Sequence, residues 1–308
     1  MSFKGASLYA VLAGILCCGC GNYSNEDLDF QLALPEQGDM EAKMQLSVVR
    51  VDSAEYYRAT RTSITTFNTM VEKLTALIDL VRGIVPTSRN GAERSWGPWP
   101  AEDQPGWEIR VIMRKSTISE IELQMDYSVQ VRPEGADDTA WVPFLTGWYI
   151  STGSARTGSG AIQLLVGDVR AAGFPVDADP GLAELVRIDL VYSNAGYPIH
   201  VSLYIEKLAI YSTRSGLLDY WQNADGSGIL TFDWEGKSDT GANITAQMLS
   251  RWIGSGAGRA DLTADLTPNR TGVSTTLGID CWGADSVVTY AYRIGDDPFV
   301  GDQSSCLF

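Results

Sequence analysis

The chain has 308 residues, 44% of them hydrophobic, and a formal net charge of −15. That length allows one large or two small domains with an ample core. The acidic balance argues against nucleic acid and anionic membrane surfaces as partners, since both attract Lys/Arg patches.

Residues 8–20 read LYAVLAGILCCGC, with Lys4 ahead of them and Gly19 just before Cys20. The apolar run from Leu8 to Leu16 is nine residues, whereas a helix that spans a bilayer needs about 20. The pattern is that of an export signal. It resembles the lipobox of bacterial lipoproteins, in which cleavage exposes a cysteine that is then acylated, with Cys17 standing where that family has Leu. The resemblance implies a signal peptide over residues 1–19, a lipid on Cys20 and an anchor in the envelope membrane. Gly21, where inner-membrane members of the family carry Asp, implies delivery to the outer membrane. Loss of residues 1–19 removes Lys4 and moves the net charge from −15 to −16.

On that reading Cys17 and Cys18 leave with the signal and Cys20 carries lipid, so Cys281 and Cys306 remain. Two cysteines in an exported domain predict one disulfide. A zinc site lacks ligands, because the single histidine is His200. No metal and no cofactor is expected.

Residues 20–46 are rich in Asn, Asp, Glu and Gln, with Pro35 and Gly38 as breakers. They read as a flexible acidic tether ahead of a single domain over residues 47–308. Within that domain, residues 52–83 form the one strong helix pattern. Asp52 and Glu55 make a capping-box-like start, and Ile64, Phe67, Val71, Leu74, Ile78 and Val81 follow at steps of three or four. Gly83 and Pro86 mark its end.

From Trp96 onward the period changes to two. In residues 119–132, Ile121, Leu123, Met125, Tyr127, Val129 and Val131 alternate with polar residues, as in a strand with one wet face. Further strands are expected at 107–115, 141–151, 161–169, 185–192, 199–211, 217–222, 229–235, 244–252, 259–266, 273–281 and 286–294. The turn NADGSG contains Asp225-Gly226, a hairpin signal. A slip in phase at Glu206-Lys207 predicts a β-bulge within 199–211. No repeat of fixed period is evident.

These elements predict a β-rich α+β fold: one long N-terminal amphipathic helix packed on a large, curved, mostly antiparallel, half-barrel-like sheet. A two-sheet β-sandwich is the alternative.

Few residues carry obvious chemistry. Any Ser–His or Cys–His catalyst would need His200, and no GxSxG run exists. Asp219-Tyr220-Trp221 and Asp233-Trp234-Glu235 flank the NADGSG turn, where a hairpin would bring acids and indoles together as in sugar-cleaving or sugar-binding sites. Asn223, Asp225 and Ser227 alternate like calcium ligands but depart from the EF-hand pattern. Trp96, Trp99 and Trp107 cluster among Pro98, Pro100 and Pro105, where broken pairing would expose their rings to a ligand. Leu74 and Ile78 would line an apolar gap if the helix stood off the sheet. The expected function is a non-enzymatic envelope lipoprotein binding an apolar, lipid-like ligand or a partner protein. The alternatives are a carbohydrate-binding module and a carboxylate-based hydrolase.

Overall fold

The computed structural model describes residues 24–44, 52–79, 81–102, 104–119, 122–154, 156–208, 213–237, 242–265, 275–295 and 300–308. Residues 1–19, read above as an export signal, and Cys20 lie outside them. Three helices, α1 (Asn25–Leu32), α2 (Gln37–Met40) and α3 (Glu55–Asp79), precede the sheet. The long helix is therefore not the N-terminal one. Among the described residues, fifteen strands belong to one antiparallel sheet in chain order. Among the described residues, no helix is long and apolar enough to cross a membrane.

The chain divides into two compact units, Met1–Asp39 with Val71–Ala195, and Met40–Met70 with Gly196–Phe308. The division runs through α3: residues 55–70 count with the second unit and 71–79 with the first. The predicted stripe is the buried face of this helix, with Ile64, Phe67, Val71, Leu74 and Ile78 all at 2% exposure or less, and Val81, just past its end, is buried as well.

The first unit carries β1 (Ser88–Asn90), β2 (Glu93–Pro100), β3 (Trp107–Thr117), β4 (Leu123–Pro133), β5 (Val142–Ser154), β6 (Thr157–Leu164) and β7 (Leu185–Ser193). The alternation in β4 works as read: Met125, Tyr127, Val129 and Val131 are buried, while their neighbours are half-exposed. Two glycines leave room for rings on this buried side. Tyr127 lies opposite Gly147 in the ladder and Tyr192 opposite Gly160. A short helix, α4 (Val166–Ala171), interrupts the strands after β6. Periodicity missed it, because six residues are too few to show a helical period.

Residues 24–36 also belong to this unit, and they are docked where a flexible tether was expected. Ser24 caps α1 in a reciprocal box with Asp27. Asp27, Phe30 and Leu34 turn inward at 1–2% exposure. Asp27 accepts from Arg94 at 2.8 Å and from Arg89 at 2.9 Å. Arg94 is only 3% exposed and its guanidinium lies 4.8 Å from the Phe30 ring centre. Farther along, Arg82 donates to the carbonyls of Gln31 and Leu34, both at 3.2 Å, and Arg156 pairs with Glu36. The hydrogen bonds from Arg89, ahead of those from Arg94 and Ser24, hold the Asp27 carboxyl well below the usual carboxylate range, against the opposing cost of burial.

The second unit carries β8 (Ile199–Lys207), β9 (Thr213–Gln222), β10 (Gly228–Lys237), β11 (Asn243–Trp252), β12 (Gly258–Asp265), β13 (Thr275–Trp282), β14 (Val288–Arg293) and β15 (Val300–Gly301). Strand β8 ends at Lys207 and β9 begins at Thr213. The phase slip at Glu206-Lys207 thus marks a strand end, where a bulge inside one long strand was expected. The first residues of α3 are fastened here. Tyr56 N donates to Asp280 Oδ2 on β13 at 2.7 Å, so a carboxylate 224 positions away occupies a helix N-terminus that the sequence assigns to Asp52. Arg293 braces Asp280 at 2.7 Å, and Thr60 and Ser250 share a hydroxyl contact of 2.6 Å.

Candidate functional site: an aromatic–carboxylate cluster on β8–β9

The site begins with a hairpin. Asp225-Gly226 turns β9 into β10, with Gly226 at φ +83°, a conformation that favours glycine. Asn223, Asp225 and Ser227 spend their side chains on one another. Ser227 N and Oγ donate to Asp225 Oδ1 at 2.9 and 2.6 Å, and Asn223 Nδ2 donates to Ser227 Oγ at 3.0 Å. The Ser227 bonds also hold the Asp225 carboxyl below its usual range. These contacts are those of an Asx-type turn.

Antiparallel pairing then sets His200 on β8 directly opposite Trp221 on β9. Their rings stack at 3.8 Å between centroids with 18° between planes. Asp219, two residues before Trp221 and so on the same face, joins them. Trp221 Nε1 donates to Asp219 Oδ2 at 2.7 Å, and His200 Nε2 lies 2.7 Å from Asp219 Oδ1. The indole is 39% exposed. Opposite it on β10 stands Ile229 at 40%, and Leu217 shows 36% farther along β9. Three large apolar side chains therefore share the outward face of one hairpin, and the largest is held in a fixed orientation by two partners.

The two acid–indole segments do pair as β9 and β10, in a register that sets Asp219 and Asp233 on one face as diagonal neighbours. Asp219 faces Thr231, and Asp233 faces Leu217. Asp233 accepts from Gln247 Nε2 at 2.6 Å, whereas Asp219 serves His200 and Trp221. Trp234 lies on the other parity of β10, opposite Gly216. The geometry thus brings one acid and one indole together, while Asp233 is bonded to Gln247 on the neighbouring strand.

The other sequence-derived site residues fall elsewhere. Trp96 is 1% exposed, and its indole N–H donates to the Ile84 carbonyl at 2.8 Å. It is a core residue of the first unit, contrary to the expected exposed ring. The pairing of β2 with β3 runs up to Trp96, skips Gly97-Pro98, and resumes at Trp99, so the prolines displace the strand without freeing it. Trp99 and Trp107 are half-buried, and Trp107 meets Phe174 edge-on at 5.1 Å. Leu74 and Ile78 are each 2% exposed. Cys281 and Cys306 form a disulfide. His200 gave a sequence signal only as an isolated wet-face histidine. Its stack on Trp221 depends on β8–β9 register, which single-strand periodicity does not contain. Comparison with family models, with curated proteins and with solved structures finds no match.

Proposed function

We propose that the protein is a non-enzymatic envelope lipoprotein, anchored through acylated Cys20 in the outer membrane, that docks a partner protein on the outward face of β8–β10. The carrying observation is the exposed Trp221, fixed by Asp219 and His200 and flanked by Ile229 and Leu217. A rigid aromatic ring among aliphatic neighbours is the usual composition of an interface hot spot. Asp233 and Glu235 continue the same parity along β10, so the fitting partner offers an apolar pocket bordered by Lys or Arg. In this reading the sheet is curved and half-barrel-like, its inner side occupied by packed side chains and its outer side left for recognition. The buried state of Leu74 and Ile78 favours partner docking over an apolar carrier. Among the described residues Trp221 is the one exposed Trp on this face, which also favours docking over a carbohydrate platform of several coplanar rings.

The test is photocrosslinking in intact cells with a photoreactive amino acid at position 229. One discrete protein adduct is expected, and Trp221→Ala should abolish it. A ladder of adducts unchanged by Trp221→Ala would refute the docking face. Acylation is read separately, by fatty-acid labelling of the parent chain and of Cys20→Ser.

A further inference from the structure

We propose that the outward face of α1 is a membrane-contact surface, which seats the first unit directly on the bilayer beside its lipid anchor. The proposal rests on the reading of Cys20 as acylated. Ser24, the cap of α1, lies four positions after Cys20, and four extended steps reach at most about 14 Å at roughly 3.3–3.6 Å each. One polar layer of a bilayer is itself roughly 5–8 Å deep. The start of α1 is therefore confined to the membrane surface.

The helix is not free to swing away from the body of the unit. Asp27 is locked to Arg89 and Arg94, Asp29 accepts from Lys115 at 2.9 Å, and Arg82 holds the carbonyls of Gln31 and Leu34 at the end of α1. What lies near the membrane is thus a fixed face of the first unit.

The chemistry of that face fits a lipid surface. Leu28 and Leu32 are 45% and 48% exposed, and a spacing of four puts them side by side on the helix. Their inward counterparts, Phe30 and Leu34, already fill the core, so packing within the unit does not account for the outward pair. Charge agrees as well. The acids of α1 are Glu26, Asp27 and Asp29, and each is paired with a cation: Glu26 with Arg94, Asp27 with Arg89 and Arg94, Asp29 with Lys115. In a chain of net charge −15, this helix presents locally compensated charge around two leucines. That composition suits the boundary between headgroups and acyl chains.

The experiment uses the full acylated protein in phosphatidylcholine vesicles, spin-labelled at Leu28→Cys, Leu32→Cys or, as a control on β7, Val191→Cys. Val191 is 46% exposed in the same unit. Collisional accessibility to oxygen and to a water-soluble nickel chelate is then compared. Labels at 28 and 32 are expected to be shielded from the chelate several-fold more than the label at 191, with oxygen access retained. Equal chelate access at all three positions, in protein that co-floats with the vesicles, would overturn the contact surface and leave the anchor standing. Protein that lacks fatty acid and does not float would instead overturn the acylation reading, and this proposal with it.

Discussion

Gly258 faces Trp282 across the β12–β13 ladder so closely that a Cβ on the glycine would lie 2.7 Å from the indole carbon Cζ2. Trp282 also donates its indole N–H to the Gly256 carbonyl at 2.9 Å, which fixes the ring over the turn before β12. Thirty residues earlier the arrangement recurs: Gly228 lies opposite Trp252, whose N–H donates to Gly226 at 3.2 Å. Gly258→Ala should cost about 1–3 kcal/mol, the range for forcing a methyl group into a packed site. Urea denaturation measures it, and a neutral result would show that both the ring and the Arg251 carbonyl, 2.3 Å from the same Cβ position, can move aside.

The disulfide joins β13 to the segment after β15, its cysteines 25 positions apart in sequence. In the chain-entropy model a loop of that length contributes roughly 3–4 kcal/mol. Cys281→Ala should lower stability by about 2–5 kcal/mol, and reduction of the parent protein should produce a comparable loss. Equilibrium melts with and without reductant check both statements.

Leu74→Ala should cost about 2–5 kcal/mol, by lost transfer energy plus the cavity left behind, because the side chain is only 2% exposed. A fluorescent fatty-acid titration of the parent protein should show no saturable binding. Saturable binding, together with an undiminished melting midpoint in Leu74→Ala, would restore the apolar-carrier reading.

Much of the architecture was legible because it is local. The α3 stripe, the alternation of Met125, Tyr127, Val129 and Val131, and the Asp225-Gly226 turn are each written within a few residues. What escaped depends on residues far apart in sequence. The carboxylate at the α3 N-terminus is Asp280, and the groups that bury Asp27 are Arg89 and Arg94. From composition alone, Asp27 reads as one more solvated acid in a polar leader. Trp96 was misread because Pro98 stops strict pairing for only two residues. The spacing of thirty between Gly228/Trp252 and Gly258/Trp282 escaped notice because the residues around them differ. The shared feature is a pairing across strands, not a motif along one.

The Asp27 clamp has a defined pH window. Its carboxyl titrates below the ordinary carboxylate value, so its stabilisation is complete above that value and fades as pH falls through the lowered one. Docking of α1 should therefore be constant from neutrality to about pH 5 and weaken only below about pH 4. Asp27→Asn should cost about 3–5 kcal/mol, since it leaves the buried Arg94 charge without its buried partner. Hydrogen exchange across residues 25–32 should rise in that variant at pH 7. Unchanged protection there would show that Phe30 and Leu34 hold the helix without the ion pairs.

The docking face makes a different demand, because its central residue should matter for binding and hardly for folding. Trp221 is 39% exposed and contributes its N–H to Asp219 in a setting reached by solvent. Trp221→Ala should change stability by no more than about 1 kcal/mol, as for surface substitutions. The same truncation at an interface hot spot costs about 2 kcal/mol or more, a fall of roughly 30-fold in partner affinity. Asp219→Ala separates orientation from contact. It leaves the indole in place but releases both the ring and His200, so affinity should fall by less than in Trp221→Ala. Tryptophan emission should shift as the indole loses its hydrogen-bond partner. Equal loss in the two variants would mean that Asp219 touches the partner itself. Full affinity in both would place recognition on another face of the protein.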